Sequence, residues 1–420
     1  MRVTRTISNS VIVLAMLLLL SSAFFMDGPK EVSAAPELKI LTTPTRAATA
    51  WEPYSYQAVA SEPVSWSLTS NQYGINISSS GFVYGIFTYV GNDSISIKGT
   101  NNAGTLVYQN YTITIKVNPL GTPEFTFAGA SDGHLGNPGN PNGSMQVALV
   151  NSAKAQSLNM IFDLGDLVNG VSGSGIGATV ANYSMIKGIY DNSGIPYHVA
   201  MGNHDNISAF NEVFPGSLDY YVIKDKIIWI VLNASIEPVV SINSTQLDFL
   251  NNTLSSHKDY LAFVMCHEGQ KQIHWPAGYP EGEANDTRFQ QIIETNSYHM
   301  GGVLFAHAHC AGTTAGNSTY YTYTGTYGST NQNGFDYQMG YDMFGIFKNS
   351  STSEYTIKVW YEVLVNNSAL SSTYFEYKIT LPINQTQTSY QIETVIMIVV
   401  AGLIVVGSIV IIVHRKGNRG

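Results

Sequence analysis

Five short apolar runs between residues 125 and 306 each end in a group of polar residues. Residues 195–200 are followed by Gly202-Asn203-His204-Asp205. A continuous apolar run of this length predicts a buried strand, and the glycine allows a sharp turn directly after it. The other runs are 125–130 before Asp132 and His134, 160–164 before Asp166 and Asn169, 261–266 before His267, and 302–306 before His307 and His309.

Helical patterns alternate with these strands. Residues 144–158, 181–192 and 288–294 are helix candidates, and another helix opens at Ser244, a plausible N-cap. This alternation predicts an α/β domain. Ligands bind at the carboxyl ends of the strands in open α/β sheets, so we expect the five polar groups to meet at one edge.

Residues 38–118 have a different pattern. Apolar and polar residues alternate in short runs at 54–59, 64–68, 93–98 and 111–117, separated by glycine and asparagine. Period-two alternation at this spacing predicts a small β-sandwich. The segment has no cluster of acids or histidines, so its expected role is that of a spacer or docking module, joined to the next domain by a linker at 118–121.

Both ends of the chain carry long apolar segments. Residues 1–35 predict an export signal, with Arg2 and Arg5 before an apolar stretch, although a retained N-terminal anchor is the alternative. After a linker at 383–392, residues 393–413 predict one transmembrane helix, for which a buried core helix is the alternative. The basic tail at 414–420 predicts a single-pass membrane protein whose main body lies outside the cell.

Composition narrows the possible partners. Only 12% of the residues are charged, the net charge is −9, and there is no basic stripe, which argues against a nucleic-acid-binding surface. A surface of neutral polar groups suggests an acidic or harsh exterior. The only cysteines are Cys266 and Cys310, which form either a disulfide or two buried thiols.

An exported chain could carry N-linked glycans. Asn206 has the glycosylation pattern but is expected to stay unmodified because it lies next to the polar strand ends. The other examples of Asn-x-Ser/Thr, some of them due to chance, are Asn76, Asn92, Asn110, Asn182, Asn233, Asn285, Asn317 and Asn349.

The polar strand ends offer carboxylate, amide and imidazole donors without thiolates. This donor set suits Mn, Fe or Zn. Seven donors exceed the three or four that one catalytic zinc takes from protein, so a site for two divalent metal ions sharing a carboxylate fits better. The seven candidate ligands are Asp132, His134, Asp166, Asn203, His267, His307 and His309.

The ordered motifs Asp-x-His, Gly-Asp, Gly-Asn-His-Asp, a single His and His-x-His over residues 122–382 resemble the calcineurin-like metallophosphoesterase family. The resemblance implies a four-layer sandwich of two mixed sheets flanked by helices, which hydrolyses small phosphomonoesters or phosphodiesters with water activated by two metals. It also implies that Asp166 bridges the metals, that His204 acts on the leaving group, and that Asp205 orients a neighbour. The ligand sets it implies are Asp132, His134, Asp166 and His309 for one metal and Asp166, Asn203, His267 and His307 for the other.

The match has departures. Ala306 replaces a usual glycine, and Asn169 stands where an acid or arginine often tunes the catalytic imidazole. The loop 269–286 is a candidate substrate rim, and Glu268 could support the neighbouring ligand.

Residues 38–118 resemble the immunoglobulin-like modules of microbial surface proteins, through Pro53-Tyr-Ser-Tyr, Ser65-Trp-Ser-Leu and the run 111–117. A surface binding protein with an inert phosphoesterase domain is therefore the alternative function.

Overall fold

The computed structural model describes eleven segments of the chain. The predicted export signal, linker 383–392, cytoplasmic tail, rim loop 269–285 and Cys310 lie outside them, so those interpretations stay predictions. The described residues are 37–69, 74–170, 177–234, 242–268, 286–309, 311–316, 319–328, 339–349, 351–365, 373–381 and 396–399.

Two large sheets form the centre of the fold. Their strands are β8 (Phe125–Ala130), β9 (Met160–Asp163), β10 (Tyr197–Val199), β11 (Tyr220–Lys224), β12 (Ile227–Leu232), β13 (Leu261–Cys266), β14 (Met300–Phe305), β15 (Gly312–Ala315), β16 (Tyr320–Tyr323), β17 (Met339–Asn349), β18 (Glu354–Val365), β19 (Thr373–Thr380) and β20 (Ile396–Val399). The first sheet has the strand order β10-β9-β8-β17-β18-β19-β20, and the second has the order β11-β12-β13-β14-β16-β15.

The five motif strands are parallel to their motif neighbours within each sheet. β8, β9 and β10 are adjacent in the first sheet, while β13 and β14 are adjacent in the second. The two sheets face each other across an apolar core in which Phe127 of the first sheet contacts Phe263 of the second, with ring centroids 5.3 Å apart. The mixed α/β prediction is therefore confirmed.

Within the described segments, five helices lie on the outer faces of the sheets: α1 (Ser144–Ala155), α2 (Val180–Ser193), α3 (Ile207–Val213), α4 (Ser244–Ser256) and α5 (Asp286–Thr295). The first three share a core with the first sheet, whereas α4 and α5 pack on the second. The cap predicted at Ser244 was wrong by one residue. Asn243 is the N-cap, because its side chain accepts from Gln246 N at 3.0 Å while Gln246 Oε1 accepts from Asn243 N at 2.9 Å.

The chain ahead of β8 forms two small sheets, whose strand orders are β1-β7-β6-β3 and β2-β5-β4. Their strands are β1 (Ala47–Thr49), β2 (Pro53–Gln57), β3 (Ser65–Leu68), β4 (Ile75–Ile77), β5 (Phe82–Ile86), β6 (Gly91–Thr100) and β7 (Leu106–Lys116). The four alternating runs are all strands, as predicted, whereas β1, β4 and β5 were missed. The immunoglobulin-like resemblance itself stays a prediction.

This N-terminal sandwich is packed against the first large sheet. Trp51 is 2% exposed and contacts the edge of Phe347 on β17, with centroids 6.2 Å apart. The buried Lys358 on β18 pairs with Glu52 of the sandwich and with Glu376 of β19, 3.1 Å away. The sandwich thus covers part of the outer face of the first sheet, which a loosely tethered spacer would not do.

The C-terminal transmembrane prediction differs from the structure at the four residues where the two can be compared. Ile396–Val399 is strand β20, antiparallel to β19, and not helix. Its apolar, partly β-branched residues suit a strand, and β19 offers an open edge for it. Among the described segments no helix combines the length and apolarity needed to cross a bilayer.

Candidate metal centre

The strand ends bring the predicted donors together. Asp132, Asp166 and Asn203 follow β8, β9 and β10 in one sheet, and His267 and His307 follow β13 and β14 in the other. Parallel strands end at the same edge, so the two facing sheets deliver their polar ends to one place.

The first cluster of donors contains Asp132, His134 and His309. His309 Nε2 lies 3.2 Å from Asp132 Oδ1 and 3.2 Å from His134 Nε2. One potential ligand atom from each residue lies within 4.8 Å of the other two, which is close enough for a single cation to contact all three.

The second cluster contains Asp166, His267 and His307. His267 Nε2 lies 3.4 Å from Asp166 Oδ2, and His307 Nδ1 lies 2.8 Å from Asn203 Oδ1. Asp166 Oδ2 is also 3.6 Å from His134 Nε2 of the first cluster. Asp166 therefore stands between the two groups, where a shared carboxylate was expected.

Three buried atoms of these clusters have no hydrogen-bond partner: Asp132 Oδ1, Asp166 Oδ2 and His267 Nε2. A buried polar atom without a partner is costly, and buried charges are normally paired or bound to a metal. Carboxylate oxygens and imidazole nitrogens are ligands for Mn, Fe and Zn. The residues present therefore fit a pair of divalent cations.

The charge distribution favours cations at the same point. Burial alone would raise the pKa of Asp166, but the nearby imidazoles of His267 and His134 outweigh it and hold that pKa well below its ordinary value. Burial likewise disfavours a charged His267, yet Asp166 and Asp132 raise its pKa well above the ordinary value. The two buried carboxylates thus attract positive charge into the cluster.

Five of the seven candidate ligands have left-handed backbone conformations, which the sequence did not reveal. The φ angles are 54° for Asp132, 41° for His134, 54° for Asp166, 63° for His307 and 52° for His309. Such angles are uncommon outside glycine and cost of order 1–3 kcal/mol each. Strained residues persist only where the surrounding structure holds them in place, and groups of them are typical of functional sites.

Asp205 joins the turns that carry the ligands. Its Oδ2 accepts hydrogen bonds from Gly202 N and Asp166 N, both at 2.9 Å, and from Leu167 N at 3.4 Å. The turns are in close contact, since a Cβ on Gly202 would lie 2.1 Å from Asp166 Oδ1. Asp205 therefore links the backbone of the turn after β9 to that of the turn after β10.

His204 lies beside the donors with a quarter of its side chain exposed. Its backbone N–H donates to Asp166 Oδ1 at 2.7 Å, and its Nε2 lies 4.0 Å from Asp166 Oδ2. Its Nδ1 contacts the carbonyl oxygen of Gly170, one residue beyond Asn169. The Gly170 carbonyl thus contacts the His204 imidazole where the resemblance implied a contact from the side chain at position 169. A backbone carbonyl contact of this kind is not indicated by any sequence motif.

Other residues singled out by the sequence lie around this centre. His198 stacks on Phe162, with centroids 5.4 Å apart, and Asp163 accepts hydrogen bonds from Tyr190 and Tyr327, so both have structural contacts as expected. Glu268 is buried directly after His267. Asn233 is only 1% exposed, so it is unsuitable for a glycan in the folded protein.

A family comparison agrees with this geometry. Residues 125–311 match the model of the calcineurin-like phosphoesterase family. The chain contains a calcineurin-like phosphoesterase domain. The match begins at β8 and includes all seven donors as well as His204 and Asp205.

Solved structures resemble this phosphoesterase domain only distantly. A dimetal phosphatase from Danio rerio is 11% identical with a TM-score of 0.44, and the match covers 62% of this chain and 100% of that one. GAP50, the anchor in the inner membrane complex of Plasmodium, is 14% identical with a TM-score of 0.43, covering 63% and 91%. Zinc-bound Vps29 from Entamoeba histolytica is 10% identical with a TM-score of 0.28, covering 61% and 100%. These values do not support transfer of a function, and no curated protein matches the sequence.

Proposed function

We propose that this protein is a metal-dependent phosphoric ester hydrolase acting on small phosphomonoesters or phosphodiesters. The observation that carries the proposal is the convergence of seven donors around Asp132 Oδ1, Asp166 Oδ2 and His267 Nε2, three buried atoms that lack hydrogen-bond partners. Within the protein, Asp132 Oδ1 lies 3.2 Å from His309 Nε2 and Asp166 Oδ2 lies 3.4 Å from His267 Nε2, without hydrogen-bond geometry. Two divalent cations would satisfy these atoms.

The donors divide into two sets. Asp132, His134 and His309 would hold one ion, Asn203, His267 and His307 the other, and Asp166 would contact both. When bound, two divalent cations neutralise the phosphate oxygens and lower the pKa of a water molecule for in-line attack. The buried carboxylates and left-handed turns hold the donors in place before substrate arrives.

His204 is the proposed proton donor. The Gly170 carbonyl can only accept, so Nδ1 of His204 carries a proton and donates it to that oxygen. Nε2 is then the nitrogen that can give a proton to the leaving-group oxygen when the ring is charged. Asp205 contributes by holding the backbone of Asp166 and Gly202 in place.

The test is hydrolysis of p-nitrophenyl phosphate and its bis ester by the full chain with Mn²⁺, Fe²⁺, Zn²⁺ or no metal. His204→Ala should keep bound metal while activity falls about 10²–10⁴-fold. His198→Ala is the matched control, because this histidine stacks on Phe162 outside the donor clusters and its loss should leave activity near the wild-type level. No hydrolysis of either ester and no bound metal would favour a surface binding protein with an inert domain.

We also propose that the catalytic body is exported and anchored at the cell membrane by residues 393–413. The uncharged stretch 395–413 followed by basic residues supports this location. Anchoring requires that Ile396–Val399 leave strand β20 and become helical. Protease treatment of intact cells should remove the body. A body that stays protected, or is released by high salt alone, would contradict this location.

A further inference from the structure

Tyr183 lies on α2, behind the turns that carry the candidate metal ligands. Its side chain is completely buried, and its ring meets the edges of Phe210, 5.7 Å away between centroids, and Phe214, 6.4 Å away. These aromatic contacts satisfy the ring but leave the hydroxyl to find polar partners.

Both partners of the hydroxyl belong to the turn after β10. Tyr183 Oη donates to Asp205 Oδ1 at 3.0 Å and accepts from Asn206 N at 2.8 Å. Burial and the charge of Asp205 raise the pKa of Tyr183, so the hydroxyl keeps its proton and remains a donor. Tyr183 consequently links helix α2 to both the side chain of Asp205 and the backbone of Asn206.

The two oxygens of Asp205 have different tasks. Oδ1 receives the Tyr183 hydroxyl, whereas Oδ2 receives the backbone N–H groups of Asp166 and Gly202, both at 2.9 Å. A rotation of this carboxylate would release both backbone groups. Asp166 would then lose a restraint on its left-handed conformation, with φ of 54°.

We infer that Tyr183 is a positioning residue: its hydroxyl fixes the carboxylate of Asp205, and through it the backbone of Asp166, the carboxylate that both metal ions would share. The inference rests on the proposed function, because it concerns the same two-metal site. It adds a residue 17 positions beyond Asp166 along the chain, on a helix that carries none of the candidate ligands.

The test compares Tyr183→Phe with Tyr377→Phe in the full chain. Phenylalanine keeps the ring packing and removes one oxygen. Tyr377 is a matched control, since its buried hydroxyl donates to Gly301 O at 2.7 Å, at the amino end of β14, opposite to the ligand end. Mn²⁺ affinity is measured by competition with a chelating dye, and kcat and KM are measured with p-nitrophenyl phosphate.

Tyr183→Phe should weaken Mn²⁺ binding about 10-fold and lower kcat, with KM changed less than about twofold. Tyr377→Phe should leave both properties near wild type, although each variant loses a buried hydrogen bond and some stability. A double-mutant cycle with Asp205→Asn tests the route. If Tyr183 acts through Asp205, Tyr183→Phe has less than about a twofold further effect on Mn²⁺ affinity in that background.

The inference, but not the proposed function, is overturned if Tyr183→Phe keeps wild-type Mn²⁺ affinity or if Tyr377→Phe loses as much Mn²⁺ affinity as Tyr183→Phe. Additive effects of Tyr183→Phe and Asp205→Asn would also overturn it, because Tyr183 would then act by another route. Failure of the proposed function is recognised separately, since the wild-type chain itself would bind no Mn²⁺ and hydrolyse no ester.

Discussion

Glu362 on β18 is a buried carboxyl at the contact between the N-terminal sandwich and the first large sheet, and it makes stability depend on pH. Its side chain is 3% exposed, and it accepts hydrogen bonds from Gly74 N at 2.9 Å and from Trp360 Nε1 at 3.3 Å. These donors are neutral, so they compensate only part of the cost of a buried charge. We predict that Glu362→Gln removes this part of the pH dependence.

The direction of the pH dependence follows from the shift in the pKa of Glu362. Burial raises the pKa of Glu362 from 4.5 to about 7, while the bonds from Gly74 and Trp360 act in the opposite direction. The folded state therefore binds a proton more tightly than the unfolded state. The resulting stabilisation is fully present below pH 4.5 and is lost as the pH rises through about 7. The difference between the pKa of Glu362 in the unfolded state and in the folded state corresponds to about 3 kcal/mol of folding stability.

The assay is urea unfolding of the full chain at pH 5 and pH 8. Glutamine resembles the protonated acid, so the variant should match wild type at pH 5 and exceed its free energy of unfolding by about 2–3 kcal/mol at pH 8. Glu354→Gln is the control on the same strand, because Glu354 is partly exposed and pairs with Lys378 on the neighbouring strand β19. An equal change from pH 5 to pH 8 in wild type and Glu362→Gln would refute the reasoning.

Two further predictions concern packing and metal. Trp51→Ala should lower the free energy of unfolding by about 3–5 kcal/mol in urea titration, because Trp51 fills the contact with Phe347, and a loss below about 1 kcal/mol would mean that the sandwich docks without it. Mn²⁺ at 100 times its Kd should add about 2.7 kcal/mol of stability, observed as a rise in Tm that a chelator reverses. Asp166→Asn should abolish that rise, whereas an unchanged Tm in the wild-type protein would contradict a metal site at the seven candidate ligands.

The sequence could predict which polar groups belong to the candidate site because their signals are local. An apolar run followed by glycine and a short polar group is visible within about ten residues, as at 195–205. Strand direction then brings such ends to one edge of a sheet. Asp132 and His267 belong to different sheets, and they meet at 3.9 Å because the two sheets face each other with these edges aligned. Errors occurred where the signal was weaker, as at Ser244, which stands beside the true cap Asn243.

The amino-acid sequence by itself determined the buried strands, the chemical type of the donors and their order, because hydrophobic periodicity and side-chain chemistry need no knowledge of distant residues. Only the tertiary structure decided the left-handed turns at the ligands, the Gly170 carbonyl against His204, the hold of Tyr183 on Asp205 and the docking of Trp51 on Phe347. Each of these depends on groups brought together from separate elements. A backbone angle or a carbonyl contact leaves no residue pattern from which it could have been predicted.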